Sequence, residues 1–122
     1  MAARDWDVID FNNGGFYAAA FGVPLGNWEF PHIDCVGMRD LWLYARANGY
    51  TGGEDHDVNM VETPFPGVAA GFTDGGSASL SLVANGNQHQ PQAGPISPFN
   101  GVAVVQNSGG TGTIDVVLTG AR

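Results

Sequence analysis

Alternation at period two is the feature that most restricts this chain. In SASLSLVA (Ser77–Ala84) Ala78, Leu80, Leu82 and Ala84 fall on one side and Ser77, Ser79 and Ser81 on the other. In TIDVVLT (Thr113–Thr119) Ile114, Val116 and Leu118 oppose Thr113, Asp115, Val117 and Thr119. Side chains of a strand point alternately to its two faces, so this spacing builds half-buried strands and no helix. VAVVQ (Val102–Gln106) reads as a third strand, and NSGGTG (Asn107–Gly112) as the loop of a hairpin joining it to the last. The chain has 19 Gly and 7 Pro, which supply turns at short intervals. The predicted fold is mainly β: an antiparallel sandwich or small barrel, one domain over residues 1–122, with long Gly/Pro-rich loops and extended terminal arms.

The first half is harder to read. RDWDVIDF (Arg4–Phe11) is a strand or part of an extended N-terminal arm over 1–11, and NNGG (Asn12–Gly15) is a turn. Phe16–Phe21 fits a helical turn or a buried strand. Asp34–Gly49 has two readings. Asp34 caps a short helix over 34–48 with Met38, Leu41, Trp42 and Ala45 on one face. Alternatively, Leu41, Leu43 and Ala45 oppose Trp42, Tyr44 and Arg46 on a strand that Asn48-Gly49 turns into a hairpin. The aromatic content favours the strand. Tyr50–Gly67 reads as a polar, irregular loop, and Gln88–Gly101, with three prolines, as an extended link or edge.

Charge is distributed unevenly. The net charge is −8, from twelve acids, four Arg and no Lys. Arg4, Arg39, Arg46 and Arg122 are too few and too scattered to neutralise a phosphate backbone, so direct nucleic-acid binding is not expected, nor is binding to anionic membrane. Residues 63–122 hold only Asp74, Asp115 and Arg122 as charged groups. Domain surfaces usually carry about 25–35% charged residues. This half is therefore expected to be neutral and polar outside, or covered by neighbouring subunits.

Chemical motifs are sparse. Cys35 is the single cysteine and reads as a structural thiol. HID and EDHDVN bring together His32, Asp34, Glu54, Asp55, His56, Asp57 and Asn59 as cation-ligand candidates. An EF-type loop fails, because Met60 stands where its glycine belongs and Pro66 where its closing Glu belongs. A cupin-type metal enzyme would use His32, Asp34 and His56. A carbohydrate-binding sandwich would stack sugars on Trp6, Trp28, Trp42, Tyr44 or Tyr50. Neither reading outweighs the plainer one, in which no metal or cofactor is held. The start MAARDWDVIDF lacks the apolar core of a secretory signal, and no apolar run reaches membrane-spanning length. The expectation is a soluble protein made in a cytoplasm.

In its style, SASLSLVA, VAVVQ and TGTIDVVLTGAR joined by turn-rich links behind an acidic start, the chain resembles the small decoration or cement proteins of tailed-phage capsids. The resemblance implies a non-enzymatic virion component, often trimeric, that binds the major capsid protein or other virion subunits and braces the shell. It implies contacts through terminal arms, here Met1–Phe11 and Thr119–Arg122. Trp6, Val8, Ile9, Phe11, Trp28, Phe30, Trp42 and Tyr44 are the expected partner-facing residues.

Overall fold

The computed structural model describes residues 2–64 and 78–122, in which every regular element is a strand. In chain order these are β1 (Ala2–Ala3), β2 (Asp7–Asp10), β3 (Phe16–Pro24), β4 (Trp28–Asp34), β5 (Asp40–Asn48), β6 (Asp55–Thr63), β7 (Ser79–Leu82), β8 (Gly86–Pro91), β9 (Phe99–Ser108) and β10 (Thr113–Ala121). No helix among the described residues is long and apolar enough to cross a membrane. Sheet I has the order β1-β4-β9-β6-β7 and sheet II the order β2-β3-β10-β5-β8. Every pairing is antiparallel except β1 with β4.

The topology is that of one long hairpin rolled up. β3 pairs with β10, β4 with β9, β5 with β8 and β6 with β7. Rolling then brings β10 against β5 and β9 against β6. This is the eight-stranded jelly roll, widened by β1 and β2 at one edge of each sheet. Consecutive strands mostly lie in opposite sheets, so most links cross the sandwich. NSGGTG therefore joins two sheets and is no hairpin, and Asn48-Gly49 leads from sheet II to sheet I. Both edges of β9 and β10 are already paired with β4, β6, β3 and β5.

The two inner faces form a single core. From sheet II come Phe16, Ala18, Leu41, Leu43, Ile114, Val116 and Leu118; from sheet I, Phe30, Val58, Met60, Leu80, Leu82, Val102 and Val104. All of these are buried. Residues 40–48 form a strand, with Leu41, Leu43 and Ala45 inward as alternation requires; the helix over 34–48 is not formed. Residues 55–63, read as loop, form β6. Here His56, Val58 and Met60 point inward, and the acidic outward positions hide the period in the sequence. Ala84, expected inside, lies beyond the end of β7 and is exposed. The TDGGS turn and Ser77 lie outside the described residues.

The terminal arms are not free. Ala2 and Ala3 pair with Trp28 and Glu29, and β2 pairs with β3 through the NNGG turn. β10 runs through Ala121, and Arg122 Nε donates to the Gly14 carbonyl at 3.3 Å. Sheet edges carry unpaired backbone groups, and nearby chain satisfies them.

The charge asymmetry along the chain disappears in space. The uncharged β9 lies between β4 and β6, and β10 between β3 and β5, all four flanking strands coming from the acidic half. β9 carries no charged residue and β10 carries only Asp115, which pairs with Arg46 of β5.

One bulge shapes sheet II. Between Ile114 and Val116, β10 places Asp115 opposite both Phe21 and Gly22. Gly22 adopts φ +65°, and its amide donates to Asp115 Oδ1 at 2.8 Å. Phe21, 61% exposed, is the last outward position before the bulge, which shifts the alternation by one and returns Val23 to the core. A different glycine, Gly112, lies where a Cβ would collide with the carbonyl oxygen of Asn48. Gly22→Ala meets no neighbour and incurs only the local strain of a Cβ in the left-handed conformation, about 1–2 kcal/mol. Gly112→Ala, with φ +114° and a backbone collision, is expected to cost clearly more. Urea unfolding of both variants checks this; equal losses would contradict the close approach.

Candidate functional site

Strand register explains why the proposed metal ligands do not gather. Asp55, His56 and Asp57 are consecutive on β6, so His56 points into the core while the two carboxylates point out. Both His56 nitrogens are engaged: Nδ1 lies 2.8 Å from the Tyr50 hydroxyl and Nε2 lies 3.2 Å from Gln106 Oε1. Burial, then the charges of Glu54 and Asp55, pushes the Tyr50 hydroxyl up to about 12. The tautomer satisfying all three groups has Tyr50 donating to Nδ1 and Nε2–H donating to Gln106. Asp57 Oδ2 accepts the Asn107 amide at 2.9 Å, and Asp55 Oδ1 lies 3.4 Å from the same nitrogen. Asp34 Oδ1 accepts the Val36 amide at 3.0 Å in a local turn, and His32 stands on β4 beside Gly101. Among the described residues no three His, Cys, Asp or Glu side chains converge as a metal site would require.

The buried acids serve as staples. Glu54 is buried and accepts the amides of Thr51 (2.9 Å), Gly52 (2.7 Å) and Thr111 (3.0 Å). It fastens the β5–β6 link to the β9–β10 link at one end of the sandwich. The Thr51 amide leads in holding its carboxyl down to about 2; burial opposes this, and the Thr111 and Gly52 amides add to the lowering. Asp115 accepts Gly22 N, Arg46 Nε (2.8 Å) and Asn48 Nδ2 (3.0 Å) and pairs with Arg46 Nη2 at 2.6 Å. Burial alone would raise its carboxyl; these hydrogen bonds and the Arg46 charge outweigh it and leave it lowered.

The surviving candidate is a surface. On the outer face of sheet II three rows of side chains run across the strands. The first is Ile9, Tyr17, Thr119, Trp42 and Pro91; the second is Asp7, Ala19, Val117, Tyr44 and His89. The third joins Asp115, Arg46 and Asn87, with Phe21 alongside. Trp42, Tyr44 and His89 form a continuous ring cluster, with centroids 5.8–6.2 Å apart and planes tilted by 26–38°. Within these rows Tyr17, Phe21, Tyr44, Arg46, Asn87 and His89 line an open concavity of about 550 Å3.

The expected partner-facing residues divide three ways. Phe30 is buried in the core, 2% exposed, because it is an inward position of β4; it cannot meet a partner. Trp6 stacks on Phe30 at 5.1 Å, and Trp28 packs beneath Arg4 with its Nε1 bonded to the Pro24 carbonyl, so both serve the body. Val8, Ile9 and Phe11 are exposed on and just after β2; Tyr44 lines the concavity, and Trp42, in ring contact with it, borders a second depression beside Phe11. Sequence reasoning missed His89, Tyr17 and Phe21 as members of that face. The alternation of Tyr44 with Trp42 was visible, but which strand lies beside them was not.

The sequence matches no protein-family model and no curated protein.

Two outcomes follow. A carboxyl whose folded pKa is depressed stabilises the fold above its unfolded pKa and loses that contribution as pH falls towards the folded one. For Glu54 the window runs from 4.5 down to about 2. Thermal unfolding across that window is expected to fall more steeply for wild type than for Glu54→Gln, which already lacks the staple; parallel profiles would contradict the assignment. Cys35 is 2% exposed, and burial pushes its thiol up to about 11. Native protein is expected to resist iodoacetamide at neutral pH while urea-unfolded protein reacts fully; mass spectrometry reads both.

Proposed function

We propose that this protein is a structural, non-enzymatic subunit of a virus particle that binds a capsid lattice, as decoration proteins do. The observation that supports the reading is the edge of sheet II. Among the described residues β2 has β3 as its one neighbour, and all four of its residues are exposed. Val8 is 44%, Ile9 56% and Phe11 49% exposed, giving an apolar edge with one free row of backbone groups. An unpaired edge accepts an extended segment of a partner, with backbone hydrogen bonds for affinity and side chains for selection. Asp7 and Asp10 flank the apolar pair Val8-Ile9, which discourages indiscriminate strand addition.

The occupant in this reading is a strand of the major capsid protein. Copies arranged as trimers over the lattice junctions would add weak edges into strong overall attachment. The jelly roll itself does not choose, since capsid proteins, lectins and cupins share it.

Co-sedimentation with undecorated shells of the encoding virus tests the reading. An Ile9→Asp, Phe11→Asp double variant is expected to bind at least ~10-fold more weakly. Both side chains are already exposed, so melting should be little changed. Undiminished co-sedimentation of the folded double variant would overturn it.

A further inference from the structure

We propose that the concave outer face of sheet II is a binding site for a neutral saccharide. This goes beyond lattice attachment and involves a different part of the molecule, inboard of the β2 edge. Nothing in the sandwich architecture requires its outer face to be aromatic; outward positions of a two-sheet fold are ordinarily polar. Here Tyr44, 38% exposed, sits between Trp42 and His89 in one surface of rings. The opposite wall is Tyr17 and the outturned Phe21. The C–H face of a pyranose carries slight positive charge and complements the electron-rich faces of such rings.

Polar groups stand at one end of the rings. Asp115 engages Arg46 through Nε and Nη2, holding the guanidinium by two bonds. Half of the Arg46 side chain stays exposed, and its Nη1 hydrogens are not used by that pair. A guanidinium presents five N–H donors in a rigid fork, so donors remain for sugar hydroxyls. Asn87, opposite Arg46 on β8, adds an amide with both donor and acceptor capacity. Rings on one side and fixed planar donors on the other are what a ring with an apolar face and a hydroxylated rim demands.

Electrostatics selects against charged ligands. Asp115 cancels Arg46, so the pair adds no net charge, and the chain as a whole carries −8. Anions are repelled by the long-range field. Cations meet the outward donors of Arg46, which oppose a positive charge. The concavity of about 550 Å3 lies within the range of about 300–1,000 Å3 common for small-ligand sites.

Affinity electrophoresis through gels containing hydroxyethylcellulose, xylan, laminarin or glycol chitin tests the site. At least one polymer is expected to retard the protein. Tyr44→Ala and His89→Ala are each expected to weaken that retardation at least ~10-fold, with Val36→Ser as an unaffected exposed control. His89 lies on the exposed edge strand β8, so its variant should fold as wild type, as circular dichroism and melting would confirm. Retardation should persist in the Ile9→Asp, Phe11→Asp variant, which separates this site from lattice attachment. No retardation by any of the four polymers, or retardation unchanged in both ring variants, overturns the proposal. So does retention on a choline resin that Tyr44→Ala abolishes in place of polysaccharide binding.

Discussion

A strand inside a sheet has its backbone satisfied only when a neighbour lies along each edge, and in this protein β10 occupies that position from Thr113 to Gly120 and β9 from Phe99 to Val104. β10 pairs with β3 and β5, and β9 with β4 and β6. Ile114, Val116 and Leu118 on one, Val102 and Val104 on the other, have no exposed surface and face each other's sheets across the core. The late strands are thus the centre around which the earlier ones are arranged. Between them they carry one ionised side chain, Asp115, which Arg46, Asn48 and the Gly22 amide hold. The neutral tract divides in space: β9 lies inside sheet I, whereas β7 and β8 end their sheets and β8 is exposed along its length.

Strand existence was legible wherever the alternation was clean. Leu80 and Leu82, or Ile114, Val116 and Leu118, announce one buried face directly. β6 was not legible, because Asp55, Asp57 and Asn59 occupy its outward positions and made EDHDVN look like a solvated loop. Strand partners were not legible at all. An Asn-Gly or Gly-Gly link looks like a hairpin turn whether it reverses within a sheet or crosses between two, and here Asn48-Gly49 and NSGGTG both cross. The long-range pairings of the rolled hairpin decide this, and they leave no local mark.

The same logic separates residues that looked alike as site candidates. His56 is adjacent to two carboxylates in sequence and is turned away from them by the pleat. Phe30 and Trp42 are both aromatic strand residues, yet one is core and the other surface by parity alone. Asp115 had only an outward position to suggest a role. In the fold it holds the Gly22 bulge and fixes Arg46, so one carboxylate shapes both the backbone and the concave face. The resulting molecule has an apolar core in which Glu54 and His56 are held by hydrogen bonds, an apolar edge at β2 and an aromatic outer face on sheet II.

Residue-resolved amide hydrogen exchange on the isolated subunit tests the central claim most directly. Protection is predicted to be greatest in β9 and β10, close to the global unfolding limit, and lowest in β2 and β8 at the edges. Strong protection of β2 together with rapid exchange along β9 or β10 would contradict the rolled-hairpin account and the open edge it creates.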